Sequence, residues 1–148
     1  MHISIGADGA GYQLKQKIVE FLGAEGHEVL DLGIHGLNST DYPDVAEEVA
    51  RTVAAGETEC GILICGTGIG MSMTANKIPG IRAAVCTDCY MARMAREHND
   101  AQILCLGGRV VGLGLALDIV RVFLTSKFEG GRHARRVGKI NTLDRKER

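Results

Sequence analysis

With 148 residues, 45% hydrophobic and 24% charged, the chain has the composition of one soluble globular domain. That length buries a real core but leaves no room for a cofactor domain beside a substrate domain, so a small substrate and no large cofactor are expected. A formal net charge of −1 speaks against general nucleic-acid binding, and no apolar run approaches the roughly 20 residues that cross a membrane. Five cysteines, an odd number, argue against a disulfide framework and for a reducing cytoplasm. The start, Met1-His2-Ile3-Ser4-Ile5-Gly6, reads at once as a strand with no basic segment ahead of it, which fits a cytoplasmic protein.

Strand and helix signals alternate along the chain. Residues 2 to 7 form the first strand, and Leu14, Ile18, Phe21 and Leu22 give a helical stripe that ends near Gly23 to Gly26. Residues 28 to 32 are the second strand, and a longer loop runs to Pro43. Val45, Val49 and Val53 mark the second helix, and residues 60 to 65 the third strand. A short helix-compatible segment follows from Met71, then a fourth strand from Ile81 to Cys86. Met91, Met94 and Ala95 stripe the next helix, which stops near His98-Asn99-Asp100 before a strand from Gln102 to Leu106. Leu113, Leu117, Val120 and Leu124 mark a last long helix, and a basic tail follows. The pattern implies an α/β fold with helices on both faces of a parallel sheet.

The junction Ile64-Cys65-Gly66-Thr67-Gly68-Ile69-Gly70 carries the strongest functional signal, because it puts a thiol where a buried strand meets a glycine-rich turn. In open α/β sheets the carboxyl ends of strands are where ligands bind, and glycines let backbone N–H groups approach an anion closely. The loop lacks the Gly-Lys-Ser/Thr ending of a P-loop, and Cys60, Cys86 and Cys105 read as small buried hydrophobes. Asp8 follows strand one and Gly107-Gly108-Arg109 follows strand five, so both belong to the same sheet edge.

Charge is uneven: residues 127 to 148 hold eight Lys/Arg against three Asp/Glu, or +5, whereas residues 1 to 126 hold nine against fifteen, or −6. Within the tail, Gly130-Gly131-Arg132-His133-Ala134-Arg135-Arg136 sets Arg132 and Arg136 four apart, on one face of any helix that begins after the glycines. Two guanidiniums converging there suit a phosphate. Two other arrangements compete. Gly6-Ala7-Asp8-Gly9-Ala10-Gly11 with Asp31 beyond it is a dinucleotide-like spacing, although Asp8 would set a negative charge beside a pyrophosphate. Cys86-Thr87-Asp88-Cys89 is a C-x-x-C pair of the redox or zinc kind, with no second ligand pair at convincing spacing.

Taken together, Gly6-x-Asp8, Asp41-Tyr42-Pro43, Ile64 to Gly70, Ala75-Asn76-Lys77, Gly80-Ile81-Arg82, Glu97-His98-Asn99, Gly108-Arg109 and Gly130-Gly131-Arg132-His133 resemble, in order and spacing, the ribose-5-phosphate isomerase B family. That family also includes galactose-6-phosphate and allose-6-phosphate isomerases. The resemblance covers nearly the whole chain. It implies a three-layer α/β/α Rossmann-like sandwich with a five-stranded parallel sheet and a C-terminal helical tail. It implies a single domain over residues 1–148, a homodimer with shared active sites that could pair into a tetramer, and no metal or organic cofactor. The activity implied is interconversion of ribose 5-phosphate and ribulose 5-phosphate. A hexose 6-phosphate isomerase and a non-catalytic sugar-phosphate-binding subunit are the alternatives.

The resemblance also implies roles. Cys65 is the base, Thr67 shuttles a hydroxyl proton, and His98 opens the furanose ring as an acid. Backbone N–H groups over Gly66, Gly68, Ile69 and Gly70 stabilise the enediolate oxygen; Asp8, Tyr42 and Asn99 contact sugar hydroxyls. Arg109, Arg132 and Arg136 clamp the phosphate, with tail residues 127–148 serving phosphate binding and dimer contacts. Met71 together with Cys65 places the chain in the cysteine branch, since another branch uses a glutamate at the position of Met71. One departure stands out: Gly9 occupies a substrate-facing position where members commonly carry histidine. Losing one hydrogen bond to a charged group there would weaken affinity by about one to two decades.

Overall fold

A computed structural model describes residues 1–36 and 40–146, the last of these by its backbone; residues 37–39 of the long loop and 147–148 of the basic tail lie outside the described residues. The elements alternate as β1 (His2–Ala7), α1 (Tyr12–Ala24), β2 (Glu28–Asp31), α2 (Tyr42–Ala54), β3 (Cys60–Cys65), α3 (Ile69–Ala75), β4 (Ala83–Val85), α4 (Cys89–Glu97), β5 (Ile103–Gly107), α5 (Leu113–Thr125) and α6 (Arg132–Lys146). All pairings in the sheet are parallel, and the strand order is β2-β1-β3-β5-β4. No helix among the described residues is long and apolar enough to cross a membrane.

The central strands are buried on both faces, and their side chains divide by the period of two. Ile62, Ile64, Leu104 and Leu106 join Ile3, Ile5, Ile18, Ile119 and Phe123 in the layer made by α1, α4 and α5. Leu63, Cys65, Ile103 and Cys105 point the other way, to Val45, Val49, Val53, Met71 and Ala75 of α2 and α3. Each fully buried valine, leucine or isoleucine of these two layers contributes about 1.5–3 kcal/mol. The same alternation fixes the direction of Cys65: it leaves the end of β3 toward α2 and α3.

Two helix starts follow from local chemistry. Pro43 occupies the first turn of α2, where its missing N–H removes no helical bond. Asp88 caps α4 by accepting from the Met91 N–H at 2.8 Å. Strand β4 is shorter than the apolar run predicts. The Ile81 N–H bonds to Ile78 O in a turn and the Arg82 N–H to Gln102 Oε1, so neither N–H enters the ladder, and Arg82 meets the neighbouring strand only through its carbonyl, which accepts from the Gln102 N–H at 3.0 Å.

The strand order has a functional consequence. Chain connections leave β1 toward β2 on one side and return past it to β3 on the other, so a crevice opens at the carboxyl ends of β1 and β3. Asp8 and Cys65 are the residues at that opening. Asp31, by contrast, is committed elsewhere: the fully buried Lys15 donates to both its carboxylate oxygens at 2.7 Å, and the Gly33 N–H donates at 3.0 Å. The dinucleotide arrangement therefore lacks the free acidic residue it needs.

Candidate active site

Three strand ends meet at Cys65. The Asp8 N–H donates to Ile64 O at 3.2 Å, and the Gly108 and Arg109 N–H groups donate to the carbonyls of Cys65 and Gly66 at 2.8 and 3.0 Å. These bonds fix the first residues of the loop on both sides. Beyond them, Gly68 adopts φ 82° as the N-cap of α3, and a Cβ there would stand 3.0–3.2 Å from the backbone of Leu106. The turn brings the Gly68 N–H to 3.1 Å from Cys65 Sγ, a donor bond that strengthens when sulfur carries negative charge. Thr67 Oγ1 accepts from the Ile69 N–H at 3.2 Å while the side chain stays exposed.

Tyr42, from the start of α2, closes the other wall. A Cβ on Gly70 would sit 2.3 Å from its ring, so only glycine allows the phenol to lie against the loop. The result is a cavity of about 420 Å³ lined by Asp8, Ala10, Tyr42, Cys65, Gly66, Thr67, Ile69, Gly70, Met73 and Arg109. Cys65 is 6% exposed, at the bottom. The size suits a phosphorylated sugar, and the lining carries a nucleophilic sulfur, a carboxylate, two hydroxyls and one guanidinium. Asp8 also accepts from the Gly11 N–H at 3.1 Å, which orients its carboxylate.

The remaining residues singled out from sequence are not part of that lining. His98 caps the end of α4, Asn99 follows it, and Arg132 and Arg136 lie exposed on one face of α6. They form a second group. His98 stacks on His133, the second residue of α6, and Arg82 ties the two segments together. The Arg82 guanidinium donates to Asn99 O at 3.0 Å, Asp100 O at 2.7 Å and Asn141 Oδ1 at 2.9 Å. Burial lowers the Arg82 pKa, with Asp100 and Asp144 opposing. Gly9 is exposed, and a Cβ built there meets nothing within 4 Å.

The other thiols differ from Cys65. Burial pushes Cys60 up to about 11 and Cys86 up to about 12, and it raises Cys105 as well, so all three stay protonated near neutrality. The C-x-x-C pair thus contains an inert, buried member. Sequence reasoning missed Ala10 and Met73 in the lining and gave no part to Arg82, Glu129 or His133. Met73 stands one helical turn from Ile69 on the exposed side of α3, a spacing that could have found it.

A thiol, a glycine turn and an arginine gathered at the switch point of a doubly wound sheet are the features of an enzyme that acts on a small anionic substrate. The ribose/galactose isomerase family model matches residues 3–140, and the chain belongs to that family. It is 49% identical over 144 residues to the ribose-5-phosphate isomerase B of Escherichia coli, covering 97% of each chain. It is 44% identical to a D-erythrulose-4-phosphate isomerase of Pectobacterium atrosepticum, covering 100% of this chain and 98% of that one. Among solved structures, Clostridium thermocellum ribose-5-phosphate isomerase B matches with a TM-score of 0.99 at 60% identity over the whole of both chains.

Proposed function

We propose that this chain is an aldose–ketose isomerase that interconverts ribose 5-phosphate and ribulose 5-phosphate, with Cys65 as the base. The observation that carries the reading is the hydrogen bond from the Gly68 N–H to Cys65 Sγ inside a cavity of sugar-phosphate size. Isomerisation removes the proton from C2 of the open-chain aldose and leaves the electron pair in a C1–C2 enediolate. A proton is then returned to C1 while the C2 hydroxyl gives up its own. Oxidation at C2 and reduction at C1 balance within one molecule, so the chemistry calls for a base and an anion site rather than an organic redox cofactor.

Each part has a candidate. Cys65 takes the carbon-bound proton, and Thr67 relays the hydroxyl proton. First-turn amides of α3 without intrahelical partners face the developing oxyanion together with the loop glycines. Asp8 and Tyr42 orient hydroxyls, and Arg109 holds one side of the phosphate. The ring-opening acid His98, the hydroxyl contact Asn99 and the arginines Arg132 and Arg136 are supplied by a second subunit. Support for that comes from their placement: within one chain they gather around α6, off the cavity lining. The tail helix is then both a dimer contact and part of a neighbouring site.

The deciving assay compares ribose 5-phosphate with allose 6-phosphate and galactose 6-phosphate, using the parent enzyme and Cys65→Ala. Ribose 5-phosphate turnover that disappears in the variant supports the reading; no Cys65-dependent turnover on any of the three overturns it. Hexose 6-phosphate isomerisation is the second reading: Gly9 stands in sequence between the lining residues Asp8 and Ala10, and a Cβ there would meet nothing within 4 Å, which leaves room beside the cavity for a longer sugar.

A further inference from the structure

The end of α4 and the start of α6 hold a group of side chains that the reaction above uses only in part. The His98 and His133 rings stack with centroids 4.0 Å apart and planes 9° from parallel. One oxygen of Glu129, Oε1, lies 3.3 Å from His98 Nε2 and 3.5 Å from His133 Nε2. Glu129 is tied to α4 through its main chain as well, its N–H donating to Glu97 O at 3.0 Å. His133 is 6% exposed, and its buried Nε2 has no hydrogen-bond partner among the described residues.

Three donor atoms within 4.8 Å of one another are also the spacing of a cation site. The stacking argues against that use. An imidazole lone pair lies in its ring plane, so an ion shared by both Nε2 atoms would have to lie in two nearly parallel planes that the 4.0 Å stack holds apart. An N–H obeys the same in-plane rule, so Glu129 Oε1 can accept a hydrogen bond from at most one of the two rings; it lies nearer His98 Nε2, at 3.3 Å, while His133 Nε2 has no hydrogen-bond partner among the described residues.

We propose that Glu129 is a positioning residue that fixes His98 for opening the sugar ring, by pairing through Oε1 with the Nε2–H of the His98 imidazolium so that its Nδ1–H faces the ring oxygen of the substrate. The inference rests on the assignment of His98 as the ring-opening acid. His98 Nδ1 delivers its proton to the ring oxygen as the bond from that oxygen to C1 breaks, and the neutral imidazole takes up the proton that the C1 hydroxyl loses as the carbonyl forms, with no net gain or loss of electrons or protons. The step demands a proton on Nδ1 and a defined ring direction, and a carboxylate on Nε2–H favours the imidazolium and fixes the ring. His133 supplies the wall that keeps the His98 ring from turning. Burial and the neighbouring His98 and Arg132 hold His133 below the ordinary imidazole range, with Glu129 opposing, so the wall carries no second positive charge against His98 at neutral pH.

The test separates ring opening from proton transfer at carbon. Ribulose 5-phosphate cannot close a furanose ring because its O5 is esterified, so solvent deuterium exchange at its C1 needs Cys65 but no ring opening. Glu129→Gln and Glu129→Ala should lower ribose 5-phosphate turnover at least about tenfold while the exchange rate stays within about twofold of the parent. Glu129→Asp should recover part of the loss. The side chain is half exposed, and the retained exchange itself reports a folded site. Equal losses in both readouts would show a merely structural role, and undiminished ribose 5-phosphate turnover would show that His98 needs no such partner; either result overturns the inference. Exchange that does not depend on Cys65 in the parent enzyme would instead sink the isomerase reading, and this inference with it.

Discussion

Around Cys65 the site is made of main chain, whereas around His98 it is made of charged side chains. The first region is a turn whose glycines are demanded by contact: Gly68 by the Leu106 backbone, Gly70 by the ring of Tyr42. Its loop amides are held by the sheet, with the side chains of Asp8, Tyr42, Thr67 and Arg109 set around them, so the turn is as stiff as the fold. The second region is held by long side chains, with Arg82 bridging Asn99, Asp100 and Asn141, and Asp144 accepting from the Gly80 N–H at 2.8 Å. Arg132 and Arg136, by contrast, are exposed. The difference teaches how the work divides: a stiff half suits placing a base and an oxyanion within tenths of an ångström, and an adaptable half suits gripping a phosphate. On the proposed reading neither is a full site, because the first has one guanidinium and the second has no base.

The comparison breaks most sharply at the base. Cys65→Ala should lower turnover of ribose 5-phosphate by about 10³-fold or more without unfolding the chain, as measured by steady-state rates beside a thermal melt. A smaller effect belongs to the adaptable half: Arg132→Ala with Arg136→Ala should raise KM about 100-fold and leave kcat less affected, because the phosphate is held alike in the ground and transition states. Gly70→Ala should cost about tenfold in kcat/KM, since the new methyl displaces the Tyr42 ring rather than the sulfur. Smallest is Cys86→Ala, expected to stay within about twofold of the parent. The thiols themselves sharpen the point. At about pH 8, iodoacetamide should modify Cys65 and the half-exposed Cys89 well before Cys60 and Cys86, whose raised pKa values of about 11 and about 12 keep them as unreactive thiols until the pH climbs toward those values. Bound ribose 5-phosphate should protect Cys65 and not Cys89.

The order of elements was readable because burial writes itself in the sequence: a short unbroken apolar run for the doubly buried Ile62 to Cys65, and a helical period for Val45, Val49 and Val53. Limits of strands were less so, as β4 shows. Ile81 is buried and apolar like a strand residue, yet its N–H turns back on Ile78, and apolar pattern reports burial rather than hydrogen bonding. Within the site, Cys65 stood out from the other thiols because it precedes a glycine turn, and the structure adds the N–H that meets its sulfur. The grip of Tyr42 on Gly70 was not visible, since it joins residues 28 apart from different elements. The same holds for Glu129 beside His98, where a glutamate before two glycines gives no periodic signal. What order and spacing could not say is which residues share one cavity, because residues that line it and residues that do not are equally motif-like in sequence.

The most direct test of the divided site is complementation between defective subunits. Co-expressed Cys65→Ala and Arg132→Ala/Arg136→Ala chains, each nearly inactive alone at low substrate, should form mixed dimers in which one of two sites has both an intact base and an intact phosphate grip. Random assembly then predicts recovery of about one quarter of parental activity, tracking the fraction of mixed dimer. No recovery in a confirmed mixed dimer would contradict the account, because it would mean that Cys65 and the two arginines serve the same site within one chain.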